Sequence, residues 1–218
     1  MCTRRLIGGG VVGALAALAL INAGCGIFDT LPVPPELAGQ MESVRIQGSL
    51  PAPLDWVMQH KETFGQGDDP FGGAAPGTVM DDLSGLTGCW GSYELEDPFP
   101  GAVPPIGIYE VYHFDDATKQ FTRWVYTDGV LMMPAIYATD SGTYELLDGG
   151  RINCHPDTYS AYDMSTRLGR KIDNPPEGYF EGELYLTLKG DRLNTADSLE
   201  PDESGEIYRQ LFRRFDCP

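Results

Sequence analysis

The sequence has few basic residues, and this shortage excludes two classes of partner. Its 218 residues include 15 Lys and Arg against 32 Asp and Glu, which gives a formal net charge of −17. Proteins hold the phosphates of nucleic acids with Lys and Arg, and anionic lipid headgroups attract basic segments. We therefore expect no nucleic-acid partner, and no spreading of the folded region over an acidic bilayer surface.

Histidine and the common catalytic motifs are also scarce. The chain holds three histidines and contains no G-x-S-x-G nucleophile elbow, no H-E-x-x-H motif and no phosphate-binding glycine loop. His113 and Asp115 could form an orienting pair, although residues two apart in any strand share a face. The pair Asp115-Asp116 lacks the ligand spacing of a calcium loop. We expect no catalytic residues, no metal site and no cofactor, and so a protein that is not an enzyme.

Cysteines are few in the region that follows the N-terminus. After residue 25 the chain has three of them, Cys89, Cys154 and Cys217. In an oxidising compartment three cysteines would form one disulfide and leave one free thiol. Their wide separation excludes a zinc knuckle and a C-x-x-C redox pair.

The longest apolar run of the chain lies at its start. Arg4 and Arg5 precede an uncharged stretch over 6–23, and Cys25 directly follows Ala23 and Gly24. A charged start, an apolar run and small residues before a cleavage point are typical of a bacterial export signal. An uncleaved membrane anchor is the alternative, although the run is near the lower length limit for a membrane span.

A cysteine after two small residues resembles the lipobox of bacterial lipoproteins. The resemblance implies that residues 1–24 are removed as a signal peptide. It also implies that Cys25 becomes the new N-terminus and carries the lipid anchor, diacylglycerol and palmitate. Gly26 stands where an aspartate would retain such a protein in the inner membrane. We therefore expect an envelope protein anchored to the outer membrane, facing the periplasm or the cell surface.

Composition divides the remaining chain into a spacer and a domain. Residues 25–83 are rich in Pro and Gly, with LPVPP over 31–35, and predict a lipid-anchored tether. One short stretch of the tether has apolar residues at the spacing of a helix packed on something larger: Leu54, Val57, Met58 and Phe64. Residues 84–218 predict a single β domain.

From residue 84 onward, the pattern is one of strands joined by short turns. Turn-forming residues at 115–119, 148–150 and 189–191 each separate two predicted strands. The predicted strands cover 86–95, 106–114, 120–126, 142–147, 151–155, 180–188 and 207–215, with one at Leu193 and others around 130–137 and 158–168. About eight strands on short connections indicate an all-β, up-and-down antiparallel barrel, which leaves no free sheet edge.

The faces of these strands are not equally clear. Leu184, Leu186 and Leu188 alternate with polar residues, as expected for a half-buried strand. In 120–126, Trp124 and Tyr126 share one face, whereas Arg123 shares the other face with two apolar residues. Mixed faces of this kind occur where the interior of a barrel is partly a cavity, or where its outside is covered.

Gly88-Cys89-Trp90 is the G-x-W sequence that opens the first strand of lipocalins, and 84–218 resembles bacterial lipocalin-like domains. The stretch 140–152 and the ending from Gly182 onward, with Arg213 and Arg214 on the last strand, resemble them too. The resemblance implies a barrel closed at one end by Trp90, with one of the two arginines stacked on the indole. An ordinary core tryptophan with two solvated arginines is the alternative.

Strand order in such a barrel suggests which cysteines pair. The last strand of a closed barrel runs antiparallel to the first and ends beside its start. Cys217 and Cys89 occupy those two places, so we expect them to form the disulfide. Cys154, in a middle strand, is then a buried free thiol.

The aromatic residues of the strands carry the functional expectation. An eight-stranded barrel is wide enough for one small ligand, and aromatic walls with hydroxyl tips suit amphiphiles. The candidate lining residues are Tyr109, Trp124, Tyr144 and Tyr185. We expect a monomeric, lipid-anchored envelope protein that binds a small hydrophobic or amphipathic ligand without catalysis. The alternative is a filled barrel that serves as a structural or protein-interaction module, in which Trp124 is simply core.

Overall fold

The computed structural model describes residues 36–37, 39–65, 69–77, 83–96, 104–129, 134–176, 182–201 and 207–218. Cys25, the predicted signal peptide and the first part of the predicted tether lie outside these ranges. The helices are α1 (Ala52–Gln59), the single turn α2 (Lys61–Phe64) and a 3-10 turn at Leu83–Gly85. The strands are β1 (Glu42–Arg45), β2 (Gly88–Glu96), β3 (Ile106–Asp115), β4 (Gln120–Thr127), β5 (Ile136–Leu147), β6 (Arg151–Asp163), β7 (Leu168–Asp173), β8 (Gly182–Lys189), β9 (Arg192–Ala196) and β10 (Gln210–Phe215).

Eight of the strands close into an antiparallel barrel. From β2 to β6 each strand pairs with the next, and β8, β9 and β10 pair in the same way. Two further pairings close the ring, β10 with β2 and β6 with β8. The predicted up-and-down barrel of about eight strands is therefore confirmed.

Strands β1 and β7 extend the wall beyond the ring. Residues 151–154 of β6 pair with β8, whereas residues 158–163 pair with β7. Between the two halves, the register of β5 and β6 shifts at Ser141/Gly142. β1 pairs with the outer edge of β7, so part of the segment predicted as a tether lies against the barrel.

The strand boundaries around β5 and β6 differ from the prediction. Of the predicted strand 130–137, residues 130–133 lie outside the described residues, and residues 136–137 belong to β5, which also contains the predicted strand 142–147. The predicted strand 151–155 continues into 158–163 as β6. The predicted strand 158–168 is split, because the chain turns at 164–167 before β7 begins. Pro156 cannot donate to a sheet ladder, but it sits opposite Gly142 at the register shift, where a strand tolerates proline.

The barrel wall is packed on both faces. Its interior holds a cluster with members from all eight strands: Trp90, Tyr112, Phe114, Phe121, Tyr144, Ile152, Cys154, Leu186, Leu193 and Phe212, with Leu83 and Leu86. On the opposite face of β3, Tyr109 and Val111 pack under Leu54 and Val57 of α1. The short helix predicted near residues 54–64 is thus confirmed as α1 and α2, and it covers the outside of the wall.

One glycine allows this helix to approach. A Cβ atom on Gly91 of β2 would lie 2.6 Å from Val57 Cγ2 and 2.9 Å from the Phe64 ring. Because any side chain at this position would push against both residues, α1 and α2 lie as close to β2 as the backbone permits.

The disulfide joins the last strand to the first. Cys89 and Cys217 are bonded with their Cα atoms 5.5 Å apart, and Phe215 pairs with Cys89 in the sheet register. Cys154 is a free and buried cysteine. Both predictions made from strand order are confirmed.

Candidate functional site

An indole and a guanidinium lie against each other where β2 begins. The fully buried Trp90 donates from Nε1 to the carbonyl of Leu86 at 2.7 Å. The guanidinium of Arg214 lies 4.6 Å from the centroid of the Trp90 ring. It also donates to the carbonyls of Gly85 and Thr87. The Arg214 guanidinium therefore stacks on the indole and also forms hydrogen bonds at the end of the 3-10 turn Leu83–Gly85.

Arg213 has a different position from Arg214. Successive residues of a strand point to opposite faces, and the Nε of Arg213 lies 3.4 Å from a carboxylate oxygen of Asp191. Of the two arginines that the resemblance implied for barrel closure, only Arg214 contacts Trp90 among the contacts of the described residues.

The four predicted lining residues do not share one surface. Tyr144 is buried in the interior cluster beside Phe114, with ring centroids 5.4 Å apart. Tyr109 and Trp124 belong to the outer cluster under α1. Tyr185 lies between the inward-facing Leu184 and Leu186, on the outer face against Gly77. The structure therefore brings none of the other three into contact with the interior around Tyr144.

The barrel interior also holds a charged cluster, which consists of Glu110, Arg123 and Asp140. Glu110 on β3 and Arg123 on β4 point inward, because their neighbours in register are inward-facing: Arg123 is opposite Tyr112 and Asp140. Arg123 Nε donates to Glu110 Oε1 at 2.7 Å. The Arg123 guanidinium also lies 5.7 Å from the centroid of the Tyr112 ring. Sequence reasoning missed Glu110 and Asp140, although Arg123 between Phe121 and Val125 signalled an inward-facing charge.

Burial and mutual attraction set the protonation of the cluster. Burial raises the pKa of Asp140 to about 6, the charge of Arg123 opposes this, and Glu110 adds to it. Burial works to lower the pKa of Arg123, but attraction to Glu110, Tyr112 and Asp140 outweighs it and keeps the pKa well above its usual value. Burial also raises the pKa of the Cys154 thiol, so this cysteine stays protonated at neutral pH and is a poor nucleophile.

A small pocket opens beside Glu110. It is lined by Glu110, Tyr112, Leu184, Thr195, Ala196, Asp197, Tyr208 and Gln210. The space open to the centre of a water molecule is about 10 Å³, about the room that one water needs. The lining combines apolar side chains with a carboxylate that is only 1% exposed. In the part of the chain that the structure describes, Glu110 Oε2 and the neighbouring Ser92 Oγ have no hydrogen-bond partner.

A second group of inward-facing residues packs against the segment before β1. Leu37 and Met41 are buried against Ile136, Tyr159 and Ile172 on the inner side of β5, β6 and β7. This segment therefore fills part of the barrel that the strands alone would leave open. Within the described ranges, no three His, Cys, Asp or Glu side chains gather in a metal-binding arrangement.

No family model matches the chain, and no curated protein matches it. Among the residues that the structure describes, no helix has the length and apolar character needed to cross a membrane. The class that the fold defines is an eight-stranded antiparallel barrel with two extra strands.

Proposed function

We propose that the protein is an exported, lipid-anchored protein of the cell envelope whose barrel binds a small amphipathic molecule without converting it. The observation that carries the proposal is the pocket beside Glu110. It joins the apolar surfaces of Tyr112, Leu184 and Ala196 to a buried carboxylate with an unused oxygen. Ligand sites commonly combine apolar walls with a few placed polar groups.

The proposed location in the cell envelope rests on the sequence before the barrel. The apolar run that ends in Ala23, Gly24 and Cys25 is the support for a lipobox. Replacement of Cys25 by Ser should abolish both signal cleavage and membrane association, as seen by fractionation and mass spectrometry. Cys2→Ser is the matched control, since Cys2 would leave with the signal. A Cys25→Ser protein that is still processed and membrane-bound would overturn the lipid anchor.

Ligand binding is tested on protein purified from its own cells. Native mass spectrometry should detect a bound small molecule in addition to the covalent lipid. Thr195 lines the pocket and is opposite the inward-facing Leu186, so Thr195→Leu should fill it and remove the bound molecule. Thr143 is exposed on β5, and Thr143→Leu is the control that should retain it. Bound molecule that survives Thr195→Leu would place the ligand elsewhere.

The packing of the barrel interior favours a second function. The cluster around Trp90, Phe114 and Phe212 is fully buried, and Leu37 and Met41 pack on the inner side of β5, β6 and β7. Such a barrel could serve as a rigid structural or protein-interaction module at the envelope. Protein that carries only its covalent lipid, and that binds no amphiphile added in solution, would favour this second function.

A further inference from the structure

We propose that the pocket takes the primary ammonium head group of an amphiphile, with Glu110 as its main acceptor. This inference rests on the proposed function and narrows it to one ligand class. Three features of the pocket support it: an unused carboxylate oxygen, the balance of charge around that oxygen, and the size of the pocket.

The first feature is the unsatisfied acceptor. Glu110 Oε1 is engaged by Arg123 at 2.7 Å, but Oε2 is buried and has no hydrogen-bond partner among the described residues. Ser92 is opposite Glu110 in the pairing of β2 and β3, and its Oγ is buried and unpartnered in the same sense. A buried acceptor that stays unpaired costs free energy. An N–H group entering the pocket would supply a donor to Glu110 Oε2, since Glu110 lines the pocket.

The second feature is the charge around the pocket. Arg123 is the cation of the cluster, and it is already bonded to Glu110. Two carboxylates lie beside it: Glu110 lines the pocket, and Asp140 is opposite Arg123. The acidic excess favours a cationic head group and disfavours a carboxylate or phosphate.

The third feature is size. The pocket admits about one water-sized group, and an ammonium is of that size, whereas a trimethylammonium is several times larger. Tyr112, Leu184 and Ala196 supply apolar contact for the first carbons of a chain. Tyr208 also lines the pocket and is 38% exposed, so it marks the side on which the chain would leave toward solvent.

The test compares three six-carbon probes that differ only in the head group: hexylamine, hexanoate and hexyltrimethylammonium. Each is titrated calorimetrically into the full chain in detergent, with detergent alone as the blank. Hexylamine should bind at least tenfold more tightly than either of the others. Glu110→Gln keeps the shape of the side chain but loses the charge and one acceptor, and should weaken hexylamine at least tenfold.

Glu183→Gln is the matched control, because Glu183 is exposed on β8, where it pairs with Arg151. This variant should bind hexylamine as the wild type does. Circular dichroism verifies the fold of both variants. If Glu110→Gln does not fold, the comparison of the three probes on the wild type decides by itself.

The possible results separate this inference from the proposed function. Hexanoate or hexyltrimethylammonium binding as tightly as hexylamine would overturn the head-group inference while leaving a ligand-binding barrel. Hexylamine that binds equally to the wild type and Glu110→Gln would also overturn it. If no probe binds, the inference is wrong, and the proposed function is judged by the molecule that co-purifies from cells.

Discussion

At the scale of single residues, the neighbouring Arg213 and Arg214 make different contacts. Arg214 stacks on Trp90 and donates to two carbonyls, whereas Arg213 makes an ion pair with Asp191 at 3.4 Å. Arg214→Ala should lower the free energy of unfolding by about 1–2 kcal/mol, because it removes a cation–π contact and charged hydrogen bonds. Arg213→Ala should lower it by about 0.5 kcal/mol or less. Urea unfolding measures both, and equal losses would contradict a special role for Arg214.

Asp140 gives a residue-scale prediction that depends on pH. Its pKa is raised to about 6 in the folded protein, so between pH 4 and 6 the native state holds this proton more tightly than the unfolded chain. The contribution of Asp140 to stability therefore falls as the pH rises through this window. Because the side chain keeps some exposure, we expect Asp140→Asn to gain about 1 kcal/mol over the wild type at pH 7.

At low pH, we expect Asp140→Asn to have the same free energy of unfolding as the wild type. At pH 4 the wild-type carboxyl is already protonated, so the two proteins should unfold at similar urea concentrations. Unfolding curves of both proteins from pH 4 to 8 measure the difference. A difference that stays constant with pH would show that the substitution acts through packing or hydrogen bonding and not through the proton.

At the scale of elements, the contact between α1 and β2 depends on Gly91. A Cβ there would meet Val57 and Phe64 at 2.6–2.9 Å, and both residues are buried. Gly91→Ala should therefore displace the helix and cost about 1–3 kcal/mol of stability, as overpacking typically does. Gly182→Ala is the control, since a Cβ at that strand position has nothing within 4 Å. Urea unfolding of the two variants should show a loss for Gly91→Ala only.

Most of the elements could be predicted because their boundaries are local. The turn at 148–150 contains two glycines with positive φ, 75° and 68°. Because glycine adopts positive φ readily, such turns can be recognised in the sequence. The boundaries of β5 and β6 depend instead on long-range pairing. No local signal indicates that one half of β6 pairs with β8 and the other half with β7. β1 was missed for the same reason, since its partner β7 lies more than a hundred residues away.

At the scale of the whole molecule, the inside of the barrel could not be told from its outside. Trp124 was predicted to line the interior because aromatic walls suit an amphiphile, but it is partly buried on the outer face under α1. Arg123 shares its face of β4 with the apolar Phe121 and Val125, and all three face the interior. When a helix covers the outer wall and charges occupy the interior, both faces carry mixed side chains. The alternation of apolar and polar residues along a strand then no longer distinguishes interior residues from those on the outer face.

The disulfide is a whole-molecule feature that strand order could predict, and it carries the last prediction. It joins residues 128 positions apart, so it restricts nearly the whole barrel in the unfolded chain. Cys217→Ser should lower the free energy of unfolding by about 2–4 kcal/mol, measured by urea unfolding without reductant. The native far-ultraviolet spectrum should be unchanged, because β10 and β2 remain hydrogen-bonded.

Reductant supplies the control for Cys217→Ser. Dithiothreitol should lower the stability of the wild type to the level of the variant and leave the variant unaffected, since the buried Cys154 has no disulfide to lose. A variant as stable as the wild type would mean that the barrel closes without the bond. Closure would then depend on the β10–β2 pairing and on Arg214 over Trp90, and the loss in Arg214→Ala should become larger when Cys217 is replaced as well.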